Sequence, residues 1–213
     1  MSTRSVIARK DGNSWAGRFH HWDGYPEGLG KTLVENATGP FAGNLEGLLK
    51  ILIDDHPAGW DTIVDRDLSL PPTYRAASPE NVINCILCGK NSLAHFCQEQ
   101  KNHPQPLPCA GGYAFHLGHQ HTPDPAEIER LSHFPVCYCH GKEYDTEEQT
   151  ITPETLGETW CEYVYVIDPA VQTMEVLGEF ISKGEPDKLA WKSLGTVNLA
   201  HPAADWLEKL AQI

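Results

Sequence analysis

Residues 80–125 constrain the fold most, because they cannot supply a hydrophobic core of their own. The stretch holds four of the seven cysteines (Cys85, Cys88, Cys97, Cys109), five histidines (His95, His103, His116, His119, His121) and five prolines. Apolar residues recur there at neither the helix nor the strand period. A segment of that composition folds by being stapled, and it reads as an insertion in a domain built from the flanking sequence. At 213 residues the chain has room for one domain over 1–213 with the insertion at 80–125.

The flanks carry ordinary folding signals. Residues 3–10 and 15–22 read as two strands joined by Asp11-Gly12-Asn13, strong hairpin chemistry. A helix is expected over 31–38, stopped by Gly39-Pro40. A second follows, with Leu45, Leu48, Leu49, Leu52 and Ile53 at helical spacing and His56-Pro57 as its stop. Residues 59–79 are rich in turn formers and read as a loop. A short helix is expected at 125–133, a strand at 135–140 and an acidic loop at 143–158. Residues 159–167 form the clearest strand, placing Cys161, Tyr163, Tyr165 and Ile167 on one face. Asp168-Pro169 turns the chain into a strand at 172–180, and PAADWLEKLAQI closes as an amphipathic helix. The expected class is α+β, an antiparallel sheet of two hairpins with flanking helices and a zinc-stabilised insertion.

Charge excludes one class of partner. The net charge is −13, with 16 basic against 29 acidic side chains, opposite to what neutralising nucleic-acid phosphates requires. Neither DNA nor RNA is expected. Residues 1–32 are locally basic, with Arg4, Arg9, Lys10, Arg18 and Lys31 against Asp11, Asp23 and Glu27, a balance that suits a small anion. The opening MSTRSVIARKDG lacks the apolar core of a signal peptide, and no apolar run approaches membrane-spanning length. The expectation is a cytoplasmic protein with no membrane partner.

In a reducing compartment clustered cysteines read first as metal ligands. Cys85-Ile86-Leu87-Cys88-Gly89 has the form of a zinc knuckle, in which two thiolates converge on one ion. Cys97 and Cys109 complete a local four-cysteine set, with His95 or His103 able to replace either. Cys137 and Cys139 are the alternates, closing the site from the main domain. Zinc is the expected cofactor; buried structural cysteines or a redox pair are the other readings. His116, His119 and His121 read as a solvated loop, since no carboxylate is set beside them as a base.

The stretch HHWDGYPEGLGKT at 20–32 gathers the most chemistry in the fewest residues. Its glycines miss the P-loop spacing. Gly28, Gly30 and Lys31 at a helix start can still receive an anion through backbone amides and the helix dipole; a plain turn is the competing reading. Arg4, His21, Asp23 and Tyr25, joined by His140, form a candidate constellation for clamping an anion or for acid–base work. The competing reading makes them caps and core residues.

The combination STRSVIARKDG, GRFHHWDGYPEGLGKTL, PVCYCHGKEYD and TWCEYVYVID resembles a family of uncharacterised bacteriophage and bacterial proteins, actinobacterial ones prominent among them. The likeness covers roughly residues 1–70 and 134–180. It implies organisation and a phage or mobile-element origin, without a mechanism. Three functions follow as expectations. The first is a zinc-containing protein binding a small, nucleotide-like anion through Arg4, His21, Asp23, Tyr25, Gly28, Gly30 and Lys31. The second is an enzyme using His21, Asp23 or His140 as acid or base on such a ligand. The third is an interaction module or inhibitor docking a host protein through its acidic loop.

Overall fold

A computed structural model describes residues 3–70, 135–139, 148–181 and 189–210. The cysteine-rich segment, with Cys85, Cys88, Cys97, Cys109 and His95, lies outside the described residues, as do His140 and the helix expected at 125–133.

The hairpin at the N-terminus forms as its turn chemistry requires. Strand β1 (Arg4–Asp11) pairs antiparallel with β2 (Ser14–His20), and Gly12 takes a φ of +55° in the two-residue turn. A wide turn over Pro26–Gly30 leads into helix α1 (Lys31–Thr38), and α2 (Leu45–Leu49) loosens into a second wide turn at Lys50–Asp54. Asn44 caps α2 by accepting from the Gly47 amide at 3.0 Å. Two short strands follow, β3 (Trp60–Thr62) and β4 (Val136–Cys137), then β5 (Cys161–Asp168), β6 (Thr173–Ile181), β7 (Leu189–Asn198) and the short helix α3 (Trp206–Leu210).

All seven strands join one sheet in the order β4-β3-β2-β1-β5-β6-β7. The α+β class stands, and both expected hairpins are present as antiparallel pairs. The purely antiparallel sheet does not stand. β1 and β5 run parallel at the centre, and β2 and β3 run parallel near one edge. Closing the hairpins edge to edge through their first strands buries Val6, Ile7, Val164 and Tyr165 in the middle of the sheet, where both faces are covered.

One face packs against the helices. Ile7, Tyr165, Ile167 and Met174 meet Leu29, Leu33, Leu48, Leu49 and Leu52 in a continuous cluster, each buried leucine contributing about 1.5–3 kcal/mol. On the other face Val6, Ala8, Trp15, Val164 and Val166 pack under a strap from the acidic segment, which contributes Ile151 and Leu156. Gly17 and Ile151 exchange backbone hydrogen bonds at 2.9 and 3.0 Å. Arg18 is buried and ties the strap to the helix side, donating to the Ile53 carbonyl at 3.0 Å, to Thr150 at 2.6 Å and to Glu148 at 2.9 Å.

Cys161 departs from the expected alternation. Tyr163, Tyr165 and Ile167 face the helices, but Cys161 packs with the strap cluster. The β1–β5 register slips between Arg4 and Ser5, and the extra residue turns Cys161 to the opposite face. Among the described residues no helix is long and apolar enough to cross a membrane.

Candidate metal centre

The β3–β4 edge is short in backbone pairing and dense in chemistry. Trp60 lies opposite Cys137 and Thr62 opposite Val136, while His20 pairs across to Trp60. Trp60 anchors the edge: it is fully buried and its indole N–H donates to the Leu52 carbonyl at 2.9 Å. The chain reaches β3 through a tight turn in which the Gly59 amide donates to the His56 carbonyl at 3.0 Å. Gly59 holds a φ of +82°, and a Cβ there would fall 2.5 Å from the Phe19 carbonyl oxygen, so this close approach requires glycine.

That turn brings His56 over the edge, its ring 4.6 Å from the Trp60 ring. Cys137 ends β4 and Cys139 lies in the turn just beyond it, so the strand expected at 135–140 stops short, yet the two sulfurs converge on one side. The ligating atoms of His56, Cys137 and Cys139 all lie within 4.8 Å of one another. His56 and Cys137 are buried and Cys139 half-buried. None of Cys137, Cys139 and Cys161 is in a disulfide.

The electrostatics prepare one sulfur. The Cys137 side chain hydrogen-bonds to Cys139, His56 adds a second contact, and the Ala58 amide donates to the Cys139 sulfur at 3.3 Å. Together these outweigh burial and pull Cys139 down to about 4, which favours the thiolate form that metals and electrophiles take. Cys161 is the contrast: burial dominates and pushes it up to about 11. Two sulfurs and one imidazole form the ligand set that zinc favours, with a fourth position left for water, substrate or another side chain.

Tyr138, between the two cysteines, faces the other side of the sheet. Its hydroxyl donates to Asp61 at 3.0 Å and lies 2.7 Å from His21 Nδ1, which in that network carries the ring proton. His21 also stacks on Trp22, with centroids 4.7 Å apart and planes 11° from parallel.

The residues singled out in the sequence separate into three groups. Cys137 and Cys139 come together, with His56 as their partner. Arg4 and His21 line one groove, about 590 Å³ in volume, between the end of β2 and the strap. Asp23, Tyr25, Gly28, Gly30 and Lys31 lie apart from that lining. The amides of Gly28 and Gly30 donate to the Tyr25 carbonyl at 3.1 and 3.5 Å, and that of Leu29 to Asp23 at 3.0 Å, so the turn spends these donors on itself. Lys31 lies 3.6 Å from Glu35. Asp23 holds a φ of +56° on an exposed bend.

In the sequence His56 is legible only as a helix stop. A pair of cysteines at i and i+2 was its one available signal, since such a pair on a strand asks for a third ligand on the same side. The chain matches no protein-family model, no curated protein and no solved structure.

Proposed function

We propose that this chain is a zinc protein, holding the ion through His56, Cys137 and Cys139. One observation carries the reading: an imidazole and two thiols from segments remote in sequence converge within 4.8 Å at a sheet edge. Zinc there ties the turn before β3 to β4. It replaces backbone pairing that two- and three-residue strands cannot supply alone.

The test is the zinc content of the purified protein after dialysis, by elemental analysis. About one zinc per chain is expected, lost in Cys137→Ser and in His56→Ala and kept in Cys161→Ser. Zinc that survives both substitutions would overturn the assignment and hand the ion to Cys85, Cys88, Cys97 and Cys109.

A second reading has one observation in its favour. Cys139 as a thiolate beside His56 is also the arrangement of a cysteine nucleophile. Alkylation mapped by peptide mass spectrometry separates the two. Zinc-loaded protein is expected to protect Cys139, whereas a nucleophile would react at the same rate with and without chelator. Acid–base chemistry through His21, Asp23 and His140 has less support, because Asp23 lies on an exposed bend apart from the His21 groove.

A further inference from the structure

The groove between β2 and the strap is built from unlike parts: Arg4, Phe19, His21, Glu158, Thr159 and Trp160 all line it. Three features of it ask for a ligand. Arg4 is half-buried, yet among the described residues no carboxylate lies within ion-pair distance of it. That is unusual in a chain of net charge −13, the more so with Glu158 in the same groove. Second, Trp160 leaves 80% of its surface in water at the rim, the most exposed large apolar side chain described. A single exposed apolar residue needs no explanation; an indole at the mouth of a groove with an unpaired guanidinium inside is the pairing that grips an aromatic anion. Third, the His21 ring is fixed before any ligand arrives, by Tyr138 on one nitrogen, Trp22 on its face and Phe19 at its edge, 5.8 Å away.

We infer that this groove binds a planar aromatic anion of about mononucleotide size, its anionic group on Arg4 and its ring against Trp160. The volume of about 590 Å³ lies in the usual range for small-molecule sites. The aromatic wall and the single cation divide the recognition: stacking tolerates many rings, and the guanidinium demands negative charge. Glu158 faces the same space and repels a ligand with a second anionic group at the ring end, so specificity favours one charged end and one neutral, hydrogen-bonding end. The groove lies on the sheet face that Tyr138 addresses, away from the thiols, and does not depend on zinc being bound.

Isothermal titration of the full chain with the four nucleoside 5′-monophosphates, a set of aromatic monocarboxylates and inorganic phosphate tests this. At least one aromatic anion is expected to bind in the micromolar range, at least tenfold tighter than phosphate. Arg4→Gln is expected to weaken it tenfold or more. Trp160→Ala is expected to weaken it at least fivefold while leaving the unfolding midpoint in place, because the indole is mostly in water. Absence of binding across the panel would overturn the inference, as would binding that ignores both substitutions. Phosphate binding as tightly as the aromatic anions would reduce the groove to a simple cation patch and overturn it too. Zinc content, measured in the same samples, is expected to be unchanged in both variants, so failure here leaves the metal assignment standing.

Discussion

The centre of the sheet and its β3–β4 edge are built on opposite principles. At the centre, eight-residue β1 and β5 run side by side with fully buried Val6, Ile7, Val164 and Tyr165. Pairing and burial suffice for these four, which have no evident chemistry to perform. At the edge, strands of three and two residues carry Trp60, Asp61, Cys137 and, just beyond, Tyr138 and Cys139. The pairing is too short to hold by itself, so side chains hold it: an indole on a carbonyl, a tyrosine bridging His21 and Asp61, and the convergent thiols. In this molecule chemically capable residues collect where backbone pairing runs out, and the same groups serve structure and function.

The largest expected effect comes from removing the anchor of the edge. Trp60→Ala leaves a cavity in the cluster that also contains Ile7 and Tyr165 and should cost about 3–5 kcal/mol. A single shifted urea transition is expected. Two transitions would show that edge and centre unfold separately and would sharpen the contrast into a domain boundary.

Next in size is the seam between the two regions, where His20 ends β2. It is fully buried, with Nε2 accepting from the Ile63 amide at 3.3 Å and Nδ1 directed at Ser5 Oγ at 3.3 Å. Burial, helped by neighbouring His21, lowers it to about 3. Between about pH 6.5 and 3 the unfolded chain therefore takes up a proton that the folded chain refuses. The stability contribution is complete above pH 6.5 and falls by about 1.4 kcal/mol for each unit of acidification below it. Urea midpoints measured from pH 7 to 5 in chelator should follow that slope, and His20→Gln should flatten it from a lower starting stability. A wild-type midpoint that does not move with pH would place water, and hence a loose seam, beside His20.

The smallest effect belongs to the outside of the central region. Arg9 makes two 2.9 Å hydrogen bonds to Asp54, but both side chains reach solvent. Asp54→Asn should cost less than about 1 kcal/mol by urea denaturation. A larger loss would mean that the centre, like the edge, relies on polar side chains.

The central half of the fold was legible because its signals are local. The Asp-Gly-Asn turn, the leucine spacing of α2 and the apolar run of β5 each declare themselves within ten residues. β3 is hidden in the sequence because Trp60–Thr62 lies among turn formers at 59–79, and three residues carry no period. β7, at Leu189–Asn198, carries no clear local signal: Gly195 breaks its apolar pattern, and its partner β6 is what makes it a strand. The parallel centre could not be read from periodicity, which states which residues face inward but not which strand lies alongside. At the site, Cys137 and Cys139 were visible as candidate ligands, whereas His56 was visible only as punctuation. Arg4 lies on β1 as its expected strand requires, whereas His21 sits one residue past β2; the groove also needs Trp160, which falls in the strand expected at 159–167 but precedes β5 and stands at the groove rim.

The parallel pairing of β1 with β5 also sets a timetable for folding. The first strand is made early, while the strand it must lie against emerges only after three-quarters of the chain. Closing so long an intervening segment adds only a modest entropic cost, since that cost rises with the logarithm of length, but contacts of such separation form slowly. Until then the N-terminal hairpin waits with one edge of β1 open and Val6 and Ile7 uncovered, a surface ready to pair with another chain. On the proposed reading, a metal held by His56, Cys137 and Cys139 would shorten that wait by fastening the middle of the polypeptide before the last strands arrive.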